Sequence, residues 1–333
     1  MANAHSFPLI RLPNLARSRV LQCMNGLNLL LISLISRKSK VLVKSLQIKP
    51  SEFHITIGHQ LTLSLFVPNI RLHFYVDSEE NMRMLEKPKK VRMTIASDMG
   101  RIIGNIEMEN PLDLKDWFCH LCDVFNILKA SHMFIAPGSD EIDVGAIQNT
   151  FPKFETLQIE RVSPRQSKNV LEAFYQDVEV LKINSNPFGK NEPLYRKILI
   201  QNYDNLHLGC LPPREKFELN DLLMCNSISI NYHTIQNFKG INQFLKLWMK
   251  GCNPRLRELC ISQRNLNPED VLKGVRGSEN IPEEEDIMHN NEVLFRGYHD
   301  VLPSVAIEIS RFDGTKAAVC MIGGTFWLLV ENN

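Results

Sequence analysis

The chain has 333 residues, of which 44% are hydrophobic and 23% charged, and its formal net charge is +1. This is enough chain to bury a sizeable core, most simply as two domains, and the composition excludes bulk disorder. The charge balance points to neither nucleic acid nor an anionic membrane surface as a partner.

The even total hides a basic head. Residues 1–51 contain no Asp or Glu but carry Arg11, Arg17, Arg19, Arg37, Lys38, Lys40, Lys44 and Lys49, a formal +8 that leaves −7 for residues 52–333. Such a head fits a transit peptide, a secretory signal or a small folded helical module. The apolar run from Leu27 to Ile35 follows three arginines and ends in Ser36-Arg37-Lys38, with no small-residue cleavage site. It also falls far short of the ~20 residues that span a bilayer. Eight cysteines are scattered along the chain and N-x-S/T sequons are absent. That pattern predicts reduced thiols in a cytoplasmic or nuclear protein. Cys119 and Cys122 form a C-x-x-C without a second ligand pair at zinc spacing, so they are expected to be core thiols, with metal and redox roles as alternatives. No metal or other cofactor is expected.

The first elements are short helices. Pro8 and Pro13 favour an extended lead, and Pro13 suits the first turn of a helix. Ala16, Val20 and Met24 then share a face with Leu21, Asn25-Gly26 marks a turn, and Leu27, Leu30, Leu31, Leu34 and Ile35 form a helical stripe. Residues 36–44 continue as a basic helix. A unit this small needs a partner or a neighbouring domain.

This segment resembles the F-box, which docks on a Skp1-type adaptor of cullin-RING ubiquitin ligases. The resemblance rests on Leu12-Pro13, Val20-Leu21, Met24-Asn25-Gly26 and Leu29-Leu30-Leu31-Ile32-Ser33-Leu34. It implies that Leu12, Pro13, Leu15, Val20, Leu21, Leu29, Leu30 and Leu34 form the adaptor interface or the helices that build it. The chain departs from the family pattern at Gly26, where a Pro is usual, in lacking acids in the first helix, and in lacking a Trp near Ser39. The alternative is a helical cap on the domain that follows.

Between residues 53 and 76, alternation of Ile55/Ile57, Leu61/Leu63/Leu65 and Leu72/Phe74/Val76 predicts an antiparallel meander, joined by a fourth strand from Val91 to Ala96. The basic cluster at Lys87–Arg92 reads as a solvated turn. Leu114, Trp117, Phe118, Leu121, Phe125 and Leu128 predict an amphipathic helix over 113–129, capped by Asp113 or Asn110, with Trp117 and Phe118 as core anchors.

A pattern apolar-x-x-apolar-x-apolar then recurs as Phe154-Leu157-Ile159, Val178-Leu181-Ile183, Tyr203-Leu206-Leu208, Cys225-Ile228-Ile230 and Leu256-Leu259-Ile261, with a weaker copy at Ser131-Phe134-Ala136. Spacing in the twenties with L-x-L strands predicts an irregular leucine-rich-repeat-like array, in which each strand needs its neighbours to bury its apolar side. An open α/β domain with parallel strands is the alternative. Helical returns fit residues 166–175 and 241–249. Residues 279–286 read as an acidic loop, and Asp313-Gly314 predicts a terminal hairpin able to cover the edge of the array.

The string from Ile241 to Gly251, followed by Asn253-Pro254-Arg255-Leu256-Arg257-Glu258-Leu259, resembles the F-box-associated type 2 domain, which follows an F-box in a family expanded in nematodes. The resemblance covers most of the chain and implies a partner-binding role for its C-terminal part. The expected organisation is α+β or α/β: an F-box-like module at 5–48, a β-rich connector at 52–100, the array at 110–265, a loop-rich linker at 266–300 and a hairpin or meander at 301–333.

Phosphate-loop, dinucleotide, nucleophile-elbow and zincin motifs are absent from the sequence, so no catalytic residues are assigned. His120 and His207 are expected to be structural or surface residues. The expected function is substrate recognition for a Skp1-cullin-F-box ligase, with an unknown target protein and neither nucleic acid nor membrane as partner. A scaffold outside the ubiquitin system, or an unrecognised enzyme, are the alternatives. Strand positions Gln158, Glu160, Lys182, Asn184, His207, Gly209, Ser229, Asn231, Cys260 and Ser262 are expected to face outward and are the candidates for target binding.

Overall fold

Three helices follow a short 3-10 turn at Leu9–Arg11: α1 (Asn14–Gln22), α2 (Gly26–Ile35) and α3 (Arg37–Lys44), the last two with side-chain caps. Pro13 stands one residue before α1 rather than inside its first turn. The Asn25 side chain accepts from Asn28 N at 2.9 Å, and Ser36 Oγ accepts from Ser39 N at 3.1 Å. Each satisfies an amide that has no partner within its helix. The computed structural model describes residues 9–67, 70–77, 90–97, 101–109, 112–184, 187–188, 192–209, 218–233, 240–263, 266–277, 305–322 and 324–331. The chain divides into two units, residues 1–155 and 156–333.

In the first unit, β1 (Glu52–Ile57), β2 (Leu61–Val67), β3 (Ile70–Asp77), β4 (Lys90–Ser97) and β5 (Ile102–Glu109) pair antiparallel in sequence order. The alternation sends Phe53, Ile55, Leu63, Leu72, Phe74 and Met93 to one buried face. The fifth strand was not expected. Ile102 and Ile103 are neighbours and both exposed, so β5 carries no period-two signal. Gly26 explains one departure from the F-box pattern, because a Cβ there would meet Leu72 Cδ1 at 3.3 Å. A bare backbone lets the start of α2 lie close to β3. Of the basic cluster, Lys87–Lys89 lie outside the described residues, and Lys90 pairs with Glu107 at 2.8 Å.

Helix α4 (Leu114–Val124) starts where expected, with Asp113 accepting from Asp116 N at 2.7 Å. It ends earlier than the expected residue 129: Asn126 takes φ 53°, and Leu128 is 95% exposed instead of joining the apolar face. Trp117 and Phe118 anchor the core, with ring centroids 6.0 Å from Phe74 and 5.7 Å from Phe53, respectively. His120 is structural, its Nε2 bonded to Ser33 Oγ at 2.8 Å, and burial pushes its pKa down to about 4. Cys119, expected in the core, is exposed, and Cys122 is half-buried. Strand β6 (Ala130–Ile135) pairs parallel with β1, and α5 (Val144–Thr150) follows. The weak repeat copy was misplaced by one residue: Ala130, Met133 and Ile135 are buried, while Phe134 faces the other way.

In the second unit, β7 (Phe154–Ile159), β8 (Val180–Ile183), β9 (Asn205–Leu208), β10 (Ser229–His233) and β11 (Glu258–Ser262) pair parallel in chain order. The chain returns through α6 (Pro164–Phe174), α7 (Pro193–Leu199), α8 (Leu219–Met224) and α9 (Ile241–Met249). Leu157, Leu181, Leu206, Ile230 and Leu259 are buried, each in register with its neighbour. One repeat needs correction. Leu206 pairs with Ile230 and Leu208 with Tyr232, so the unit is Ser227-Ile230-Tyr232 rather than Cys225-Ile228-Ile230. A short α10 (Pro268–Leu272) precedes β12 (Val305–Ser310), β13 (Lys316–Ile322) and β14 (Thr325–Val330). Strand β14 pairs antiparallel with β11, then β13 and β12 follow outward. The terminal strands do cover the edge of β11, through the last strand rather than through the hairpin. The acidic run at 279–286 lies outside the described residues.

Candidate functional site

The eight residues assigned to an adaptor interface separate by depth. Leu21, Leu29 and Leu30 are buried in the first unit, Leu12, Val20 and Leu34 are half-buried, and Pro13 and Leu15 are exposed. Each of the three helices carries one strongly exposed apolar side chain: Leu15 at 76% on α1, Ile35 at 73% on α2 and Val41 at 65% on α3. The basic charge beside them is partly neutralised. Lys40 and Lys44 of α3 hold Asp123 of α4 at 2.7 and 2.5 Å, and these bonds push its carboxyl down to about 2.

The ten outward positions of the array do share one face. Gln158, Lys182, His207, Asn231 and Cys260 form one cross-strand row, since parallel registers align them successively. Glu160, Asn184 and Gly209 lie one step along, followed by the aligned pair His233 and Ser262. Asn205, Ser229 and Glu258 form the row before, tied by Asn205 Nδ2 to Ser229 Oγ at 3.3 Å and Ser229 Oγ to Glu258 Oε2 at 3.1 Å. Asn231 Nδ2 also donates to Ser229 Oγ at 3.4 Å, and the Gln158 amide bonds the Glu160 carboxylate.

The expected exposure of this face is only partly met. Gly209, Ser229 and Cys260 are buried, and the remaining seven positions are half-buried. Burial, helped by His233 and Lys182, pushes His207 down to about 4, and the His207 and His233 rings lie 5.2 Å apart. Burial also raises Glu258 and pushes the Cys260 thiol up to about 12. Toward β14 and β13 the same face turns apolar, with Cys260, Cys320, Ile322, Trp327 and Leu329 packed in one buried cluster. The surface is therefore a hydrogen-bonded polar field beside an apolar end.

A second polar grouping went unforeseen. On the face of the first-unit sheet opposite Phe53 and Ile55, His54 of β1 aligns with His132 of β6, and Glu52 lies two residues before His54. The residues are 78 positions apart in sequence, so no local spacing announces them.

Residues 194–261 match the model of the F-box associated family, a stretch running from α7 through β11. The second unit therefore carries an F-box associated domain. Over 94% of its length the chain is 25% identical to the F-box associated domain-containing protein sdz-33 of Caenorhabditis elegans, covering 93% of that protein. It is 22% identical to the Skn-1 dependent zygotic transcript 15 protein of the same organism, over 96% of each chain. No solved structure matches the chain.

The matched string is built from structural residues. Trp248 is buried beneath the Arg311 guanidinium, 5.6 Å from its ring centre, and Arg311 pairs with Asp313 at 2.7 Å. Gly251 takes φ +100°, a conformation side chains avoid, and the Phe312 ring lies against it. Asn253 donates to Leu222 O at 3.0 Å and Cys225 O at 2.9 Å, closing off the end of α8. These residues hold the array together and leave contact residues to be sought on the outward face.

Proposed function

We propose that the chain is a substrate-recognition adaptor of a Skp1-cullin-F-box ubiquitin ligase. The observation that carries the reading is the order of parts: three short helices with exposed apolar side chains stand ahead of an F-box associated domain. In this reading α1–α3 are an F-box that docks on a Skp1-type adaptor through Leu12, Pro13, Leu15 and Leu34, while Leu21, Leu29 and Leu30 hold the helices in shape. The leucine-rich-repeat-like array binds a target protein across the face carrying Gln158, Glu160, Lys182, Asn184, His207, Asn231 and Ser262. The chain does no chemistry of its own. It raises the effective concentration of the target near a conjugating enzyme, in the cytoplasm or nucleus.

Pulldown with a purified Skp1-type adaptor tests this. Wild type is expected to be captured, and a Leu15→Glu/Ile35→Glu double variant is expected to lose capture by at least tenfold while melting normally, because both side chains lie on the surface. Capture of both proteins alike, or of neither, overturns the adaptor reading and leaves an interaction scaffold outside the ubiquitin system.

A further inference from the structure

We propose that Glu52, His54 and His132 form a binding site for a divalent transition-metal ion, zinc by the chemistry of its ligands, that clips β1 to β6. One ligand atom from each residue lies within 4.8 Å of the other two. The His54 and His132 ring centres are 4.5 Å apart, and His54 Nε2 is 2.7 Å from Glu52 Oε2. Two imidazole nitrogens and one carboxylate oxygen are a set that zinc uses with an open fourth position, at bond lengths of about 2.0–2.2 Å. Tetrahedral ligands at that range stand about 3.3 Å apart, so side-chain rotations of roughly an ångström would close the site.

The backbone supplies the preorganisation. Parallel register places His54 directly beside His132, and strand alternation puts Glu52 on the same face as His54. Aromatic walls limit the rings' movement: Phe66 lies 4.6 Å from His54, and Phe134 lies 5.6 Å from His54 and stacks on His132 at 5.7 Å. His73 on β3 is bonded to Ser64 at 2.8 Å, and the Arg71 guanidinium lies over the Phe66 ring at 5.3 Å.

The Glu52–His54 contact supplies two of the ligands, and the parallel register sets the second imidazole beside them. The site stands independently of the adaptor reading, since it uses none of the residues assigned to adaptor or target.

The test is a zinc titration of the full chain against a chromophoric chelator, repeated for His132→Asn, His54→Asn and Glu52→Gln. Wild type is expected to take up one zinc ion in competition with the chelator. The histidine variants should lose at least about 100-fold in affinity, more than the loss of an outer-shell partner costs. Glu52→Gln guards against misfolding, because the amide keeps the shape of an exposed side chain, and it too should bind more weakly. Zinc should raise the melting temperature of wild type but not of the variants. The exposed Cys119 competes as a ligand, so cobalt(II) spectra provide the second readout: no thiolate charge-transfer band, and full binding by Cys119→Ser/Cys122→Ser. Absence of binding by wild type, retention by the histidine variants, or loss in the cysteine variant would each overturn the proposal.

Discussion

Replacing Asn253 by Gly isolates one polar tie of the array. Asn253 is buried, takes φ +52° and donates twice through Nδ2, to Leu222 O and Cys225 O. Gly accepts left-handed backbone, so the amide is removed without added strain. Leu222 O keeps the Cys225 N–H as a donor at 3.2 Å, and losing its second bond costs about 1 kcal/mol. Cys225 O loses its side-chain donor in a buried place, at about 1–3 kcal/mol, and the freer unfolded chain adds about 0.5–1 kcal/mol. The second unit should lose about 3 kcal/mol, a fall of roughly 6–12 °C in melting temperature for a unit of this size. Asn253→Ala should lose about 1 kcal/mol more, because Ala resists the left-handed conformation. Two of the three tryptophans, Trp248 and Trp327, lie in this unit, so urea unfolding followed by tryptophan fluorescence reads it. A loss below about 1 kcal/mol for Asn253→Gly, or equal losses for Gly and Ala, would refute the reasoning.

Three further outcomes are expected. Leu30→Ala should cost the first unit about 2.7–5 kcal/mol in thermal or urea melts through the cavity it leaves, whereas Leu15→Glu should stay within about 0.5 kcal/mol, so only the latter probes binding without unfolding. Asp123→Asn should destabilise by no more than about 1 kcal/mol, because the ion pairs with Lys40 and Lys44 are exposed. Its depressed pKa makes that contribution full above about pH 4 and lost as pH falls toward about 2, which an acid titration of both proteins would show. His207 is held neutral by burial, so the unfolded chain binds its proton first. Stability should fall as pH drops from about 6.5 toward about 4, and His207→Gln should flatten that slope in pH-dependent melts.

Local chemistry made much of this fold legible in the sequence. Asp113 caps α4 as read, and Asn25, read with Gly26 as a turn, caps α2, because a side-chain oxygen next to free amides is a short-range interaction. The recurring apolar triplets marked β7, β8, β9 and β11 correctly, since burying one side of each short strand dictates the same spacing every time. The same pattern failed where two registers were both apolar. Ser227 and Tyr232, rather than Cys225 and Ile228, fill the fourth unit, and only pairing with β9 decides between them. Strand β5 was invisible because an edge strand with adjacent exposed isoleucines has no alternation to read.

The candidate surfaces divide in the same way. Alternation along each strand assigned Gln158, Lys182, His207 and Asn231 to one side, and the parallel registers then aligned them. Depth was not readable: Ser229 and Cys260 belong to that side and are nevertheless buried, while Leu15 is exposed and Leu30 sealed within the same apolar segment. Exposure depends on what packs from elsewhere in the chain, and periodicity carries no record of that. The meeting of His54 with His132 is the extreme case. The strand of His54 was legible and that of His132 was read one residue out, but pairing between segments so far apart is chosen by the total burial of the unit, which only the tertiary structure expresses.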